Sequence, residues 1–294
     1  MISVDFFDEL SRCQDIIEKQ LDEFLHGDKS YQTLLEAIRY SLLRGGKRIR
    51  AILCLKFSEA VGGKWEDALY ASCAIEMLHA YTLIHDDLPC MDDDDMRRGN
   101  PSNHIKFGES TAILAGDAMQ ALAFDTLLSS GLAAQTVVAM AKVLAVAAGP
   151  HGVCAGQYLD LAAEGKNLDL KELSEIYRLK TSALICASAQ IGVLAGGGTH
   201  KQVEAAGAYA GALGLAFQAR DDILDCTSTE KELGKPIGSD MQSQKSTLVS
   251  LLGIEKCENL VEVETSRAIN ALEGQFIHTE FLKSLANHLA GRKN

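Results

Sequence analysis

Proline is nearly missing from this chain. Four occur in 294 residues, at Pro89, Pro101, Pro150 and Pro236, so the stretches between them lack the strongest helix breaker. β-Branched alternation is almost absent too, while alanine and leucine dominate, and these are strong helix formers. Both absences point to an all-α fold. Excess positive charge is also missing: 28 Lys and Arg face 40 Asp and Glu, for a net charge of −12. That argues against nucleic acid as a partner, because phosphate backbones are held by cationic surfaces. None of the eight cysteines forms a Cys-x-x-Cys pair, so neither a zinc site nor a thioredoxin motif is suggested. Most lie in apolar surroundings and read as free core thiols. There is no Gly-Lys-Ser/Thr loop and no strand leading into Gly-x-Gly-x-x-Gly, so nucleotide binding has no motif behind it. The first residues carry Asp5, Asp8 and Glu9 and no basic lead-in, so no signal peptide is expected. The uncharged run 181–199 contains Ser182, Ser188, Gln190 and three consecutive glycines, so no membrane span is expected. The expectation is a soluble, cytoplasmic protein.

What is present is a series of helical patterns. Residues 2–26 place Phe6, Leu10, Ile17, Leu21 and Phe24 near a 3.6-residue spacing. Further helices are expected over 31–43, 49–61 (stopped by Gly62-Gly63) and 66 to about 92. Residues 111–129 are apolar almost all round, which predicts a helix at the centre of a bundle. Helices over 133–148, 151–163, 170–194 (bent near 188–192) and 201–225 follow. A polar loop, 226–243, leads to three more over 244–252, 255–272 and 278–290. No repeat and no linker divides the chain, so residues 1–294 read as a single domain.

Two acidic groups dominate the polar residues. The first, Asp86 to Gly99, packs six aspartates into ten residues and follows an apolar helix. Adjacent like charges repel by roughly 1 kcal/mol per pair in water at ~4 Å, so a cation is expected there, and clustered carboxylates suit Mg²⁺. On a regular helix Asp86 and Asp92 would lie ~240° and ~9 Å apart, too far to share an ion. Pro89 between them predicts a break that brings them together. The second group is Gln218-Ala-Arg-Asp221-Asp222-Ile-Leu-Asp225. Asp221 and Asp225 share a helix face, ~6 Å apart along the axis, and Gln218 lies on that face too. A solvated helix end is the plain alternative. Acidic residues at a helix C-terminus oppose the macrodipole, however, which again favours a cation.

Cations accompany both groups: Lys47, Arg48 and Arg50 after the Gly45-Gly46 turn, Arg97-Arg98, Lys180 beside Thr181, and Lys235 and Lys245 after the second group. Any one of them is an ordinary surface charge. Together with carboxylates on two sides of one cavity, they predict a phosphate held through metal ions, on a substrate that is not a nucleotide.

With both groups in view, the chain resembles the trans-isoprenyl diphosphate synthases, in particular the bacterial farnesyl diphosphate synthase type. The likeness runs from Gly45-Gly46-Lys47-Arg48 to Lys245-Ser246-Thr247. Its anchors are the segment from His79 through Asp86-Asp87-Leu-Pro-Cys-Met-Asp92 to Gly99, and Phe217-Gln-Ala-Arg-Asp-Asp-Ile-Leu-Asp225. The resemblance implies a single large helical bundle around a central cavity, the isoprenoid synthase fold. It also implies a homodimer, isopentenyl and allylic diphosphates as substrates, and three Mg²⁺ ions per active site. By position it assigns two ions to Asp86 and Asp92, and the third to Asp221 with Asp225 assisting. Lys47, Arg50, His79 and Arg98 match the isopentenyl diphosphate site. Arg97, Lys180, Thr181, Gln218, Lys235 and Lys245 match the allylic diphosphate site. Lys180, Thr181 and Gln218 are the expected catalytic dipoles around an allylic cation. Asp87 and Asp93 to Asp95 are expected to lie outside the metal's direct ligands. Arg220 departs from the family, which often carries a neutral residue there, and an aspartate pairing is expected for it.

Product length is expected to depend on the turn before Asp86. Tyr81 and Thr82 lie about one turn deeper, and a bulky Tyr81 would floor the hydrocarbon path. By resemblance that fits farnesyl diphosphate (C15), with geranylgeranyl diphosphate (C20) as the alternative. A class I terpene cyclase is a more distant rival, since it normally lacks the Gly-Gly-Lys-Arg segment and a second Asp-Asp-x-x-Asp. A di-iron carboxylate bundle needs Glu-x-x-His pairs from facing helices, a requirement not found met. A non-catalytic partner subunit would not need both aspartate motifs intact.

Overall fold

The computed structural model describes residues 4–27, 29–227 and 246–292. Its main elements are helices: α1 (Val4–Glu23), α2 (Gln32–Leu42), α3 (Ile49–Ala60), α4 (Trp65–Asp86), α5 (Asn103–Phe107), α6 (Glu109–Leu128), α7 (Ala134–Ala148), α8 (Val153–Ala162), α9 (Leu170–Tyr177), α10 (Ala183–Ala195), α11 (His200–Thr227), α12 (Leu248–Leu252), α13 (Ile254–Ala271) and α14 (Glu280–Ala290). Among the described residues the strands are two residues each, β1 (Met96–Arg97) and β2 (Asn100–Pro101), paired antiparallel. The all-α expectation therefore holds. The two-residue hairpin and α5 carry too few residues to leave a periodic signal. α4 stops at Asp86 rather than near Asp92, three residues before Pro89, because the proline ring cannot continue a helical ladder.

By compactness the chain divides into two units, the first holding the described residues up to Lys142 together with Ile191–Gly198, the second holding the rest. In the first, α4 packs against α1, α3 and α6. Ile75, Met77 and Leu78 of α4 are fully buried, each worth about 1.5–3 kcal/mol. The last turn of α10 lies backbone to backbone on α3. A Cβ at Gly192 would fall 2.2 Å from the Cys54 carbonyl oxygen, and one at Gly196 would fall 2.7 Å from that of Ser58. Those glycines serve close approach; the break expected near 188–192 lies instead at Arg178–Ser182, a π-helical turn between α9 and α10.

α6 corrects a third expectation. One stripe is buried, including Ala112, Ala115, Gly116, Met119 and Leu127, but Ile113, Leu114 and Leu128 are 42%, 57% and 59% exposed. Within this chain α6 is enclosed on one face and open on the other.

In the second unit α11 packs along α13, with α12 and α14 beside it. Leu173, Ala219, Ile223, Leu248, Cys257 and Val261 form its core around the C-terminal half of α11. Tyr209 is fully buried, and its hydroxyl donates to the Leu282 carbonyl at 2.8 Å. Of the cysteines, Cys13, Cys54, Cys73 and Cys257 are buried as expected, while Cys90, Cys154 and Cys226 are exposed. Among the described residues one stretch, Ala134–Ala162, is long and apolar enough to cross a membrane by length and composition alone; 39% of its apolar window is buried in the chain.

Candidate active site

The first aspartate group is a tight turn at the end of α4. Met91 N–H donates to the Leu88 carbonyl at 2.8 Å, closing a β-turn with Pro89 at its second position, where the fixed proline φ belongs. Asp93 then takes a left-handed φ of 53°. The consequence is that Asp92 N–H donates to the Asp86 carbonyl at 2.9 Å. Six residues that a straight helix would spread over ~9 Å are folded back on themselves. Among the described residues no three of His, Cys, Asp or Glu form a ready-made metal cage. Mg²⁺ does not need one: it is typically held by one or two carboxylates with substrate phosphate oxygens completing its shell. The Asp86–Asp92 turn fits that donor requirement.

The other aspartates of the run differ from these two. Asp87 is 2% exposed and accepts from Arg97 Nε at 2.9 Å and from its Nη2. Burial pushes its carboxyl up, against the pull of Arg97. Asp94 also takes Arg97. Asp93, Asp94 and Asp95 are exposed. Arg97, assigned by resemblance to the allylic diphosphate, thus spans Asp87 and Asp94.

The basic group forms where α3 begins. Gly45 and Gly46 have φ of 70° and 124°, and Arg48 has a left-handed φ of 51°. Arg48 points inward: it is 4% exposed, donates to the Leu42 carbonyl at 2.7 Å and pairs with Glu76 at 3.4 Å. Glu76 Oε1 in turn accepts the Ala51 N–H at 3.2 Å, capping α3 from α4. Arg48 and Glu76 therefore build the scaffold that presents Lys47 and Arg50. One Glu-x-x-His does precede the first acidic run, Glu76 to His79, but this glutamate is committed to α3. Arg50 Nη1 lies 3.3 Å from His79 Nε2, and Arg98 donates to the Gly45 carbonyl. Burial first, then the charges of Arg50 and Arg98, hold His79 well below the ordinary imidazole value. Arg50, Arg98 and a neutral His79 are thus assembled in one place, which favours an anion. Lys47 is exposed at the rim.

Tyr81 is 6% exposed on α4, and the Thr82 hydroxyl donates to the His79 carbonyl at 2.8 Å. His85 Nε2 lies 3.1 Å from the Ile113 carbonyl oxygen.

In the second unit, Lys180 and Thr181 sit on the π-helical turn, a type of irregularity frequent at functional sites. Gly156 of α8 makes room for it, since a Cβ there would fall 2.2 Å from the Lys180 nitrogen. Lys180 Nζ donates to Asp160 Oδ2 at 2.6 Å. The Thr181 hydroxyl donates to Gln218 Oε1 at 3.1 Å, and Gln218 Nε2 donates to Asp222 Oδ1 at 3.1 Å. Asp222 Oδ2 also accepts the Tyr177 hydroxyl at 2.8 Å and the Leu248 N–H at 2.7 Å. The chain Thr181–Gln218–Asp222 has one polarity: the carboxylate takes the amide NH₂, which turns the amide oxygen toward Thr181, and the threonine oxygen keeps its lone pairs. Asp221 pairs with Arg292, whose guanidinium carbon lies 3.9 Å over the Phe217 ring. Asp225 is buried at 6% exposure. Lys235 and Lys245 lie outside the described residues.

Sequence reading missed Asp160, Asp222's anchoring role, Glu76, Arg292 and Gln157. Gln157 is 6% exposed with neither amide atom hydrogen-bonded. Gln157 and Asp160 stand three apart in an apolar helix, and that polar pair was the available signal.

Comparison with known proteins identifies the family. The polyprenyl synthetase family model matches residues 31–284. Geranylgeranyl pyrophosphate synthase 11 of Arabidopsis thaliana, a chloroplastic protein, is 46% identical over 269 residues, covering 89% of this chain and 75% of that one. Farnesyl diphosphate synthase of Haemophilus influenzae is 41% identical over 98% of this chain and 99% of its own. The crystal structure of a Helicobacter pylori geranyltransferase, complexed with magnesium and isoprenyl diphosphate, superposes with a TM-score of 0.85. It is 32% identical and is matched over 98% of this chain and 97% of that one. Two aspartate groups, a Gly-Gly-Lys-Arg segment and an all-α fold thus meet in a chain that belongs to the polyprenyl synthetase family of prenyltransferases.

Proposed function

We propose that the enzyme joins isopentenyl diphosphate to dimethylallyl and then geranyl diphosphate and releases farnesyl diphosphate, C15. Tyr81 carries the chain length. It is a large buried side chain on α4, five residues before Asp86, on the path a hydrocarbon would follow away from the aspartates.

Asp86 and Asp92 would hold two Mg²⁺ ions, and Asp221 with Asp225 the third. Bound magnesium neutralises the diphosphate and so eases its departure. Lys47, Arg50, His79 and Arg98 hold isopentenyl diphosphate; Arg97, Lys180, Thr181, Gln218, Lys235 and Lys245 serve the allylic substrate. When the allylic C–O bond breaks, the positive charge left behind needs oxygen dipoles rather than a nucleophile. Thr181 Oγ1, fixed by Gln218 and Asp222, supplies one. Arg50 occupies the His79 Nε2 lone pair and His85 Nε2 faces a carbonyl, so the proton lost on condensation goes to the released pyrophosphate.

The open apolar face of α6 (Ile113, Leu114, Leu128), together with Val138 of α7 at 65% exposure, supports a homodimer. Light scattering tests it, a monomeric mass being the contrary result.

The relatives named geranylgeranyl pyrophosphate synthases, at 46% and 47% identity, support C20 as the second reading. Incubation with dimethylallyl and isopentenyl diphosphates and Mg²⁺, then sizing of the dephosphorylated products, decides. C15 is expected and dominant C20 overturns it; product formed without isopentenyl diphosphate would indicate a cyclase.

A further inference from the structure

We propose that Gly116 and His85 help set product length by fixing the ring of Tyr81, an inference that rests on Tyr81 as the floor of the hydrocarbon path. His85 follows Tyr81 by four residues on α4, so the two side chains share a face. Their rings meet edge to face, with centroids 5.7 Å apart and planes at 82°. His85 is held from the other side by α6. Its Nε2 is 3.1 Å from the Ile113 carbonyl oxygen, which can only accept, so Nε2 carries the proton.

The seat for this ring is Gly116. A Cβ built there would lie 2.1 Å from His85 Nε2, 2.5 Å from Cδ2 and 2.9 Å from Cε1. No residue with a side chain leaves that space. The backbone does not call for glycine, because Gly116 is mid-helix and is not among the positive-φ residues. There it weakens the helix relative to alanine. Its value is the notch it leaves in α6, which seats the imidazole against the backbone and so places the edge that Tyr81 meets. A Tyr81 ring braced by His85 keeps one rotamer; without the brace it turns aside and the path deepens. Tyr81 is then the stop, and His85 and Gly116 are positioning residues for it.

The test is the C20:C15 product ratio of wild type, Tyr81→Ala, His85→Ala, Gly116→Ala and the His85→Ala/Gly116→Ala double variant. The ratio is set per product molecule, so a general loss of folded enzyme lowers total product without moving it. His85→Ala and Gly116→Ala should each raise the ratio several-fold. The double variant should match His85→Ala alone, because Gly116 acts only through the imidazole. Should Gly116→Ala fail to fold, recovery of folding in the double variant would locate the clash at His85, and His85→Ala would decide the rest. Longer product from Tyr81→Ala with a wild-type ratio from His85→Ala overturns this inference alone. Unchanged C15 from Tyr81→Ala overturns the floor reading and this inference with it.

Discussion

The guanidinium of Arg292 donates to the carboxylate of Asp221 and lies over the ring of Phe217 four residues earlier on α11. A side chain near the end of the chain thus neutralises an aspartate expected to hold a metal ion. Arg292 and Mg²⁺ then compete for one carboxylate. Arg292→Gln should bind Mg²⁺ more tightly in the absence of substrate, by up to ~5-fold for a partly exposed pair worth ~0.5–1 kcal/mol. Isothermal titration of the substrate-free protein measures this; an unchanged affinity would show that the pair does not compete with metal.

Asp222 should matter for a different reason from its neighbours Asp221 and Asp225. It is 3% exposed and accepts from Tyr177, Gln218 and Leu248. Asparagine at 222 must turn an NH₂ toward one of these donors. Asp222→Asn should cost ~2–3 kcal/mol in urea unfolding. It should also lower kcat by about tenfold, because the Gln218 amide is then free to reverse, and 1.4 kcal/mol is a factor of ten. Full stability with reduced kcat would indicate direct metal ligation instead.

His79 makes stability depend on pH. Its folded-state value is pushed well below the ordinary 6.5 by burial and by the arginines around it. The unfolded chain therefore takes up a proton near 6.5 while the folded chain does not, so this part of the stability is present above 6.5 and is lost as pH falls toward the folded value. Urea midpoints should drop below pH 6.5 in the wild type, and His79→Gln should flatten that part of the curve. The same slope in both proteins would refute it.

Arg50 lies against His79 in the site proposed for isopentenyl diphosphate. Arg50→Gln should raise the KM for isopentenyl diphosphate by ~10–100-fold, the loss of a charge-assisted contact of ~1.5–3 kcal/mol, with little change for geranyl diphosphate. Two-substrate kinetics separate the two; a larger effect on geranyl diphosphate would reassign the residue.

Gly156→Ala should disturb the π-helical turn. Its Cβ would meet the Lys180 backbone at 2.2 Å, and backbone cannot swing away as a side-chain tip can. Overpacking of this kind costs ~1–3 kcal/mol. The thermal midpoint should fall and kcat should fall with it, since Lys180 and Thr181 ride on the displaced turn. An unchanged midpoint would mean the turn yields freely.

Most helices were legible because their patterns are long: α1, α3 and α11 fall within a few residues of expectation. The short pieces were not, since a two-residue hairpin and the five residues of α5 have no period to read. Asp86 and Asp92 could be paired from Pro89 alone, because proline's effect on a helix is local. The roles of Arg48 and Arg97 could not. Each stands in a basic motif beside a residue assigned to phosphate, and only their contacts show what they already hold: Arg48 the Leu42 carbonyl and Glu76, and Arg97 the carboxylate of Asp87.

By itself the amino-acid order determined the class of fold and the two aspartate groups, because helix propensity, proline position and carboxylate spacing act over a few residues, and its motifs carried the resemblance to the family. Tertiary structure alone decided which charges are already engaged, which way the Thr181–Gln218–Asp222 chain points, and where glycine is needed for space rather than for φ. Those depend on residues tens of positions apart, as when Gly116 and Ile113 of α6 seat His85 of α4.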